Sequence, residues 1–250
     1  LKVFEISLNE YNFPNLLDVH VTEATYYRIF ISQYLPSEVE FVTYLDADTV
    51  CINNPISEIK DTIAMLKESK YSIGARTEIE KNLKNNEVLE RLNLIGPYFN
   101  AGVLFLNLKM WRKNNYQEKL LDTMEKHSNK ILHWDQDVMN KFFNGNYLQI
   151  RNNLNFNSEN FDIKKNKDSV LFVHYIGSKK PWSVLGYVND AFEIYHDNYR
   201  KINQYNKYHI THTWKRASFK LFIKLFLNFN ILKFKYPIGY IKNFIKSLKQ

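Results

Sequence analysis

The stretch VEFVTYLDADTV (residues 39–50) joins a near-continuous apolar run to two aspartates that are one residue apart. Residues 39–45 have the length and composition of a β-strand that is covered on both faces. A desolvated carboxylate without a partner is costly, so Asp46 and Asp48 do not belong in the interior of a buried strand. Either the strand ends at Leu45 and the two aspartates enter a solvated turn, or they hold a cation.

Strand-like and helix-like segments alternate along the rest of the chain. Apolar runs predict strands over residues 1–7, 39–45, 71–76, 98–112, 146–157 and 169–177. Amphipathic or capped segments predict helices over residues 22–36, 52–70 and 114–127 and from residue 135 onward. This alternation predicts an α/β fold with a largely parallel sheet.

The bulk composition indicates a globular protein. With 250 residues, 45% of them apolar and 24% charged, the chain can form one sizeable core and an extension. Its single cysteine, Cys51, excludes an internal disulfide and suits a reducing compartment, and we expect it as a small buried side chain. The sequence has neither a signal peptide pattern nor an apolar run of about 18 residues. It also lacks the P-loop, dinucleotide-binding and serine-hydrolase motifs.

Charge is distributed unevenly along the chain. Residues 198–250 carry 12 Lys and Arg and no acidic residue, whereas residues 1–197 carry 22 Lys and Arg and 26 Asp and Glu. We therefore predict a domain over residues 1–197 and a separate basic tail over residues 198–250.

Within the basic tail, apolar residues recur at helical spacing next to lysines, after an expected helix break at Pro237 and Gly239. The apolar stripe comprises Ile241, Phe244, Ile245 and Leu248, and the flanking lysines are Lys242, Lys246 and Lys249. A basic amphipathic helix of this kind is typical of a segment that lies on an anionic membrane surface. The alternatives are that the stripe packs on the domain or that the basic run binds nucleic acid nonspecifically.

Asp46 and Asp48 are candidate metal ligands. Residues i and i+2 of an extended segment point the same way, so both carboxylates can face the crevice at a strand end, where α/β sheets bind ligands. Two hard oxygen donors suit Mg²⁺ or Mn²⁺. The same D-x-D pattern also occurs in ordinary solvated turns, and the sequence alone leaves both interpretations open.

A second candidate segment is VHYIGSKKPW (residues 173–182). His174 ends an apolar strand and is a candidate third ligand, Gly177 permits close approach to the backbone, and Lys180 offers a compact cation for a phosphate. The alternative is a histidine at the edge of the core, followed by a basic turn.

Polar residues also stand at the ends of other predicted elements. Asn100 opens the strand in YFNAGVLFLN, and the small residues Ala101 and Gly102 leave room for a ligand beside it. The alternative for Asn100 is a capped turn. Asp135 and Gln136 stand at a predicted helix start, where acidic caps are ordinary.

Four ordered segments resemble glycosyltransferase family 8, the retaining enzymes that include bacterial lipooligosaccharide galactosyl- and glucosyltransferases and the glycogenins. The resemblance covers about residues 1–185. The segments are TYYRI, YLDADTVCINNPI, YFNAGVLFLNLKMWR with DQDVMN, and HYIGSKKPW. From the residues alone, Arg28 in the first segment is either a guanidinium fork for a phosphate or an exposed helical charge, and the exposed charge is the default interpretation.

The resemblance implies a GT-A fold, a mixed or parallel sheet flanked by helices, and a UDP-sugar donor. It implies Mn²⁺, with Mg²⁺ as a second candidate, held by Asp46, Asp48 and His174. The diphosphate contacts would come from Gly177 and Lys180, and the nucleotide side would be Thr25 and Arg28. The residues that would line the sugar are Glu78, Asn100, Ala101, Gly102, Asp135 and Gln136.

The activity that this resemblance implies is retaining transfer of galactose or glucose to a glycan such as lipooligosaccharide. With its tail bound to the membrane, the protein would be located in the cytoplasm, on the inner face of the cell membrane. Gln136 or Asp135 either acts as the nucleophile or steadies an oxocarbenium-like centre, and the sequence leaves this choice open. The alternatives are a non-catalytic sugar-nucleotide or glycan-binding relative and a metal-dependent phosphohydrolase.

Members of the family begin with a strand and loop that hold the uracil and ribose, and no such segment precedes Leu1. We therefore expect a catalytic domain that is incomplete at its N-terminal side. As an isolated chain of 250 residues, it would show weak activity or none.

Overall fold

A computed structural model describes residues 3, 5, 11, 13, 14, 23–81, 86–178, 180–184, 191–203, 208–210 and 216–247. The chain divides into two compact units. The first unit is Leu1–Leu45 with Ile56–Arg151, and the second is Asp46–Pro55 with Asn152–Gln250. Most of the strand predicted over residues 1–7, and Leu248 of the predicted tail stripe, lie outside the described residues.

Strands and helices alternate through both units. The strands are β1 (Phe41–Leu45), β2 (Thr49–Cys51), β3 (Ile73–Ile79), β4 (Tyr98–Asn107), β5 (Leu148–Gln149), β6 (Phe156–Asn157) and β7 (Phe172–His174). The α-helices are α1 (Ile31–Tyr34), α2 (Ile56–Glu68), α3 (Glu87–Arg91), α4 (Leu108–Lys113), α5 (Tyr116–Lys126), α6 (Trp134–Phe143), α7 (Ile163–Asn166), α8 (Ala191–Asn203), α9 (Arg216–Leu227) and α10 (Pro237–Ser247). A 3₁₀ helix over Glu23–Phe30 precedes α1.

The sheet of the first unit is centred on β4. Its strand order is β1-β4-β3-β5, and all ten residues of β4 are buried. The pairing with β1 starts where Val103 of β4 lies opposite Leu45, so Tyr98–Gly102 extend beyond the end of β1. Side chains from β4, the 3₁₀ helix, α5 and α6 form the main core of this unit.

The sheet is mixed, and within the described residues β4 is antiparallel to both of its neighbours. The crossover from β1 through α2 to β3 makes those two strands run in the same direction, as the alternation of elements predicts. However, β4 lies between them and runs the opposite way, while β5 is parallel to β3. The described sheet is therefore not largely parallel. Alternation of strands and helices predicts that β1 and β3 are parallel, but it does not predict that a later strand, β4, lies between them.

The second unit has a smaller sheet and a helical core. The strand order is β2-β7-β6, with β2 antiparallel and β6 parallel to β7. Apolar side chains from α8, α9 and α10 pack together; the buried members are Val184, Phe192, Tyr208, Ile210, Leu225, Ile231, Phe234, Tyr240 and Phe244. None of the described helices is both long and apolar enough to cross a bilayer.

In the tail, Pro237 separates α10 from the preceding helical segments, as the sequence predicted: it is the first residue of α10, a position that suits its fixed φ angle. Gly239 does not contribute to this break, because it lies inside α10. The predicted domain boundary at residue 197 falls within the continuous helix α8. Cys51, expected as a buried side chain, is exposed because it ends the edge strand β2.

Candidate functional site

Asp46, Asp48 and His174 come together in the second unit. The turn that carries both aspartates is closed by the N–H of Thr49, which donates to the carbonyl of Asp46 at 3.1 Å. Antiparallel pairing of β2 with β7 places His174 directly opposite Thr49. One ligand atom from each of the three side chains lies within 4.8 Å of the others. The strand register therefore assembles the set that the sequence indicated.

The imidazole of His174 is oriented by Asn155. Nδ1 of His174 lies 2.9 Å from Oδ1 of Asn155, and both side chains are buried. Because an amide oxygen only accepts, Nδ1 carries the proton and the lone pair is on Nε2. Nε2 lies 3.2 Å from Oδ1 of Asp48 and 3.8 Å from Oδ2 of Asp46. This tautomer is the one that a metal-binding histidine needs.

Asp48 is more buried than Asp46, and its carboxyl group is ionised at neutral pH. Its Oδ2 pairs with Nζ of Lys180, which also donates to the carbonyl of Tyr175 at 2.8 Å. Burial alone would raise the pKa of Asp48, but His174, when its ring also carries a proton on Nε2 in the absence of a metal, and Lys180 outweigh it and lower the pKa to about 2. Its Oδ1 is buried and makes no hydrogen bond within the described residues. A carboxylate oxygen without a donor, next to an imidazole lone pair, fits a divalent cation.

Gly177 follows β7 and has a left-handed backbone, with φ of 78°. Among the described residues other than its two chain neighbours, none places a heavy atom within 4 Å of the position that a Cβ would occupy there. The backbone at this glycine is therefore open to close approach by a ligand.

A separate polar cluster forms in the first unit around Arg28. Three residues per turn place Thr25 and Arg28 on the same edge of the 3₁₀ helix. Both reach Asp135: the hydroxyl of Thr25 donates to Oδ1, and Nε of Arg28 lies 2.8 Å from Oδ2. Nη1 of Arg28 donates to the carbonyl of Ala101, and the guanidinium carbon lies 4.4 Å from the ring centroid of Tyr44.

Arg28 and Asp135 are both almost completely buried. Arg28 is therefore not the exposed helical charge that the sequence also allowed. The carboxylate of Asp135 is held by the hydroxyl of Thr25 and by the positive charge of Arg28, so it fixes the position of the 3₁₀ helix relative to α6.

Gln136 and Asn100 both contact Glu78 in the same unit. Nε2 of Gln136 and Nδ2 of Asn100 each lie 3.2 Å from Oε2 of Glu78. Oε1 of Gln136 accepts the backbone N–H of Ala101 at 2.9 Å, and Oδ1 of Asn100 accepts that of Gly102 at 3.0 Å. The predicted sugar-lining residues thus share one hydrogen-bond network at the start of β4.

Sequence patterns did not assign three members of this network to the site: Tyr98, Asp137 and Asn140. Because β4 extends beyond β1, its backbone at Phe99 is free to pair with the amide of Asn140, which accepts the N–H at 2.7 Å and donates to the carbonyl at 2.8 Å. Gln136 and Asn140 are four residues apart, so both face β4 from one side of α6. This spacing of two carboxamides was the signal in the sequence.

The predicted residues therefore form two sets. Asp46, Asp48, His174 and Lys180 meet in the second unit, with Gly177 following on the same loop. The other set lies in the first unit and consists of Thr25, Arg28, Glu78, Asn100, Ala101, Gly102, Asp135 and Gln136.

Comparison with known proteins gives a consistent result. Residues 2–186 match the family model described as Glycosyl transferase family 8. Similar proteins include a lipopolysaccharide 1,3-galactosyltransferase of Salmonella typhimurium, 33% identical over 177 residues, which are 66% of this chain and 51% of that protein. A lipopolysaccharide 1,2-glucosyltransferase of Escherichia coli is 28% identical over 218 residues, or 80% of this chain and 58% of that protein. The chain spans about half the length of the Salmonella relative.

Among solved structures, the fold is similar to that of the galactosyltransferase LgtC in complex with donor and acceptor sugar analogues. The TM-score is 0.55 at 24% sequence identity, over 68% of this chain and 64% of that one. This likeness, together with the mixed sheet, confirms the predicted GT-A fold.

Proposed function

Because this chain belongs to glycosyl transferase family 8, we propose that it transfers galactose or glucose from a UDP-sugar to a glycan such as lipooligosaccharide, with retention of configuration. Relatives that act on lipopolysaccharide support this choice of acceptor. The observation that carries the proposal is the cluster of Asp46, Asp48 and His174, whose ligand atoms lie within 4.8 Å of one another. A protein that only binds glycans has little need for such a set.

Asp46, Asp48 and His174 would hold Mn²⁺ through two carboxylates and Nε2 of the imidazole. Bound there, the cation would neutralise negative charge on the leaving diphosphate. Lys180 contributes a second positive charge for the same phosphate oxygens. Its Nζ pairs with Asp48 in this structure, so contact with the diphosphate requires Lys180 to leave or share that carboxylate. The open backbone at Gly177 lets the diphosphate approach closely.

Gln136, Asn100 and Glu78 would bind the transferred sugar. Asp135 is paired with Arg28 and buried, which leaves Gln136 as the better candidate to face the anomeric carbon. The oxygen of its amide carries partial negative charge and can stabilise the positive charge that develops at this carbon, or attack it. Thr25 and Arg28 contribute by holding Asp135 and the carbonyl of Ala101 in place.

The basic tail would lie on the anionic inner face of the cell membrane, where a lipid-linked acceptor is found. Supporting residues are apolar side chains of the tail that remain exposed: Phe226, Leu227, Phe229, Leu232, Ile238 and Ile245. They are accompanied by lysines and by no acidic residue after Asp197. Exposed apolar residues next to clustered lysines are the combination that binds an anionic bilayer.

The proposal is tested by release of UDP from UDP-galactose, UDP-glucose and UDP-N-acetylglucosamine. The assay uses the full natural chain that contains residues 1–250, with Mn²⁺ and with a chelator. Asp48→Asn should abolish release from the preferred donor, whereas the exposed control Asp168→Asn should not change it. Binding of Mn²⁺ and UDP without any transfer to acceptor or water would overturn the enzyme proposal in favour of a non-catalytic sugar-nucleotide-binding relative.

A further inference from the structure

Asp137 is a fully buried carboxylate with four hydrogen-bond donors around it. Its Oδ2 accepts from Nη1 of Arg91 at 2.7 Å and from the backbone N–H groups of Leu132 and His133 at 2.8 Å each. Its Oδ1 accepts from the hydroxyl of Tyr98 at 2.8 Å. Three donors therefore fix the carboxylate through Oδ2. Its other oxygen, Oδ1, accepts the hydroxyl proton of Tyr98 and so determines where that proton points.

Tyr98 transmits this direction to Gln136. An ionised carboxylate only accepts, so the proton of the Tyr98 hydroxyl lies toward Asp137 and its lone pairs are available to other donors. Burial, and next the charge of Asp137, raise the pKa of Tyr98 well above its usual range, so the hydroxyl keeps its proton. Nε2 of Gln136 donates to this oxygen at 3.1 Å.

The amide of Gln136 consequently has one favourable orientation. Its NH₂ group faces two acceptors, the Tyr98 hydroxyl and Glu78, while its oxygen faces one donor, the N–H of Ala101. After rotation of the amide by 180°, the NH₂ group would face the N–H of Ala101. The oxygen would face the carboxylate of Glu78 and the hydroxyl oxygen of Tyr98, whose proton lies toward Asp137. All three new contacts would be repulsive.

We propose that Tyr98 and Asp137 are positioning residues that fix the amide of Gln136 in one orientation, so that its Oε1 is the atom presented to the sugar. The fixed orientation of the amide involves residues of the first unit alone. The presentation of Oε1 to the sugar rests on the proposed function, which assigns the sugar to Gln136.

The orientation is tested without activity by hydrogen exchange of the Gln136 side-chain amide, followed by ¹⁵N NMR and assigned through Gln136→Leu. In Tyr98→Phe, which keeps the ring and removes the hydroxyl, we expect exchange to be at least about tenfold faster. The matched control is Tyr147→Phe, which removes another buried hydroxyl, one bonded to Thr77. Unchanged exchange in Tyr98→Phe would overturn the inference.

Asp137→Asn gives a second, independent test. The three donors around Oδ2 would take the oxygen of the new amide, so its NH₂ group would face Tyr98 and turn the tyrosine proton toward Gln136. We expect this variant to disturb the Gln136 amide more than Tyr98→Phe does, because Tyr98 then becomes a competing donor. An amide resonance identical to that of the wild type would contradict the assigned direction of these hydrogen bonds.

Transfer kinetics in the full natural chain test the link to catalysis. We expect kcat to fall at least about tenfold in Tyr98→Phe, with the donor KM within about twofold of the wild type, and Tyr147→Phe to resemble the wild type. Faster amide exchange with an unchanged kcat would overturn the link to the sugar. If the wild type transfers no sugar, the proposed function fails, whereas the exchange experiment still decides whether Tyr98 and Asp137 orient Gln136.

Discussion

The guanidinium of Arg28 lies 2.8 Å from the carboxylate of Asp135, and the two side chains are only 5% and 3% exposed. The desolvation cost of such a pair offsets much of its attraction, but removing one partner leaves a buried charge without compensation. The pair therefore serves to join the 3₁₀ helix to α6 in a fixed position more than to increase stability. The predicted site residues Thr25, Asp135 and Gln136 depend on that connection.

We predict that Asp135→Ala lowers the free energy of unfolding by about 3–5 kcal/mol, because Arg28 keeps its buried charge. The control is Asp122→Ala, which breaks the pair with Lys126 on the surface of α5, where the side chains are 55% and 66% exposed. That change should cost about 0.5 kcal/mol or less. Urea unfolding measures both, and equal losses in the two variants would show that Arg28 and Asp135 do not form a buried pair.

Asn155 should control metal affinity without touching the metal. We predict that Asn155→Ala weakens Mn²⁺ binding by about 10–100-fold, because the imidazole of His174 loses the partner that fixes its tautomer and ring orientation. Titration followed by the EPR signal of free Mn²⁺ measures the affinity. Asn198→Ala removes a carboxamide that bonds the helix backbone in α8 and is the control. Equal affinities in the two variants would rule out a role for Asn155 at the site.

A close backbone contact should make Gly96 intolerant of any side chain. An added Cβ would lie 2.5 Å from both the carbonyl oxygen of Asn144 and Cα of Gly145. Backbone atoms cannot move aside as a flexible side chain does, so we predict that Gly96→Ala costs about 2–3 kcal/mol of unfolding free energy. At Gly177, where the described part of the chain places no atom close to an added Cβ, Gly177→Ala should cost only about 1 kcal/mol for its left-handed backbone. The reverse order in urea unfolding would contradict this packing.

Much of the candidate site could be predicted from the sequence, because its parts are local patterns at strand ends. Asp46 and Asp48 follow an apolar run, His174 ends another, and the structure brings all three together. The antiparallel insertion of β4 could not be predicted, since strand order depends on contacts that are distant in the sequence. Tyr98 and Asp137 were not assigned to the site for a related reason. A buried tyrosine at a strand start resembles ordinary core until its hydroxyl partner is known.

Acid should destabilise the second unit through His196. Its Nε2 lies 2.9 Å from the carbonyl oxygen of Pro181, and its Nδ1 accepts the backbone N–H of His209 at 3.2 Å. Both nitrogens of the neutral ring are therefore hydrogen-bonded. Burial is the main cause that lowers the pKa of His196 to about 3. In an unfolded chain, the pKa of histidine is about 6.5. Between these values the unfolded chain binds a proton that the folded chain does not.

The free energy of unfolding should therefore fall as pH drops below about 6.5, by about 2 kcal/mol between pH 7 and pH 5 from His196 alone. Burial also lowers the pKa of His209, which adds to the effect in the same direction. Urea unfolding at both pH values should show a smaller pH dependence for His196→Gln than for the wild type. The same loss of stability in both proteins would assign the acid sensitivity to other groups.

Two neighbouring residues of α10 should separate core packing from membrane binding. Phe244 is 1% exposed and stacks on Phe222 with ring centroids 3.8 Å apart, whereas Ile245 is 49% exposed. We predict that Phe244→Ala costs about 3–5 kcal/mol of unfolding free energy. Ile245→Ser should change stability by no more than about 0.5 kcal/mol.

The same Ile245→Ser change, combined with Phe226→Ser, should weaken binding to vesicles by about tenfold or more, because both apolar side chains are lost from the bilayer. Sedimentation with vesicles of phosphatidylethanolamine and phosphatidylglycerol measures this binding. For the wild type, vesicles of neutral lipid should bind far less, since the tail carries lysines and no acid. Equal binding to anionic and neutral vesicles, or unchanged vesicle binding by the double variant, would mean that these exposed residues bind a partner other than the membrane.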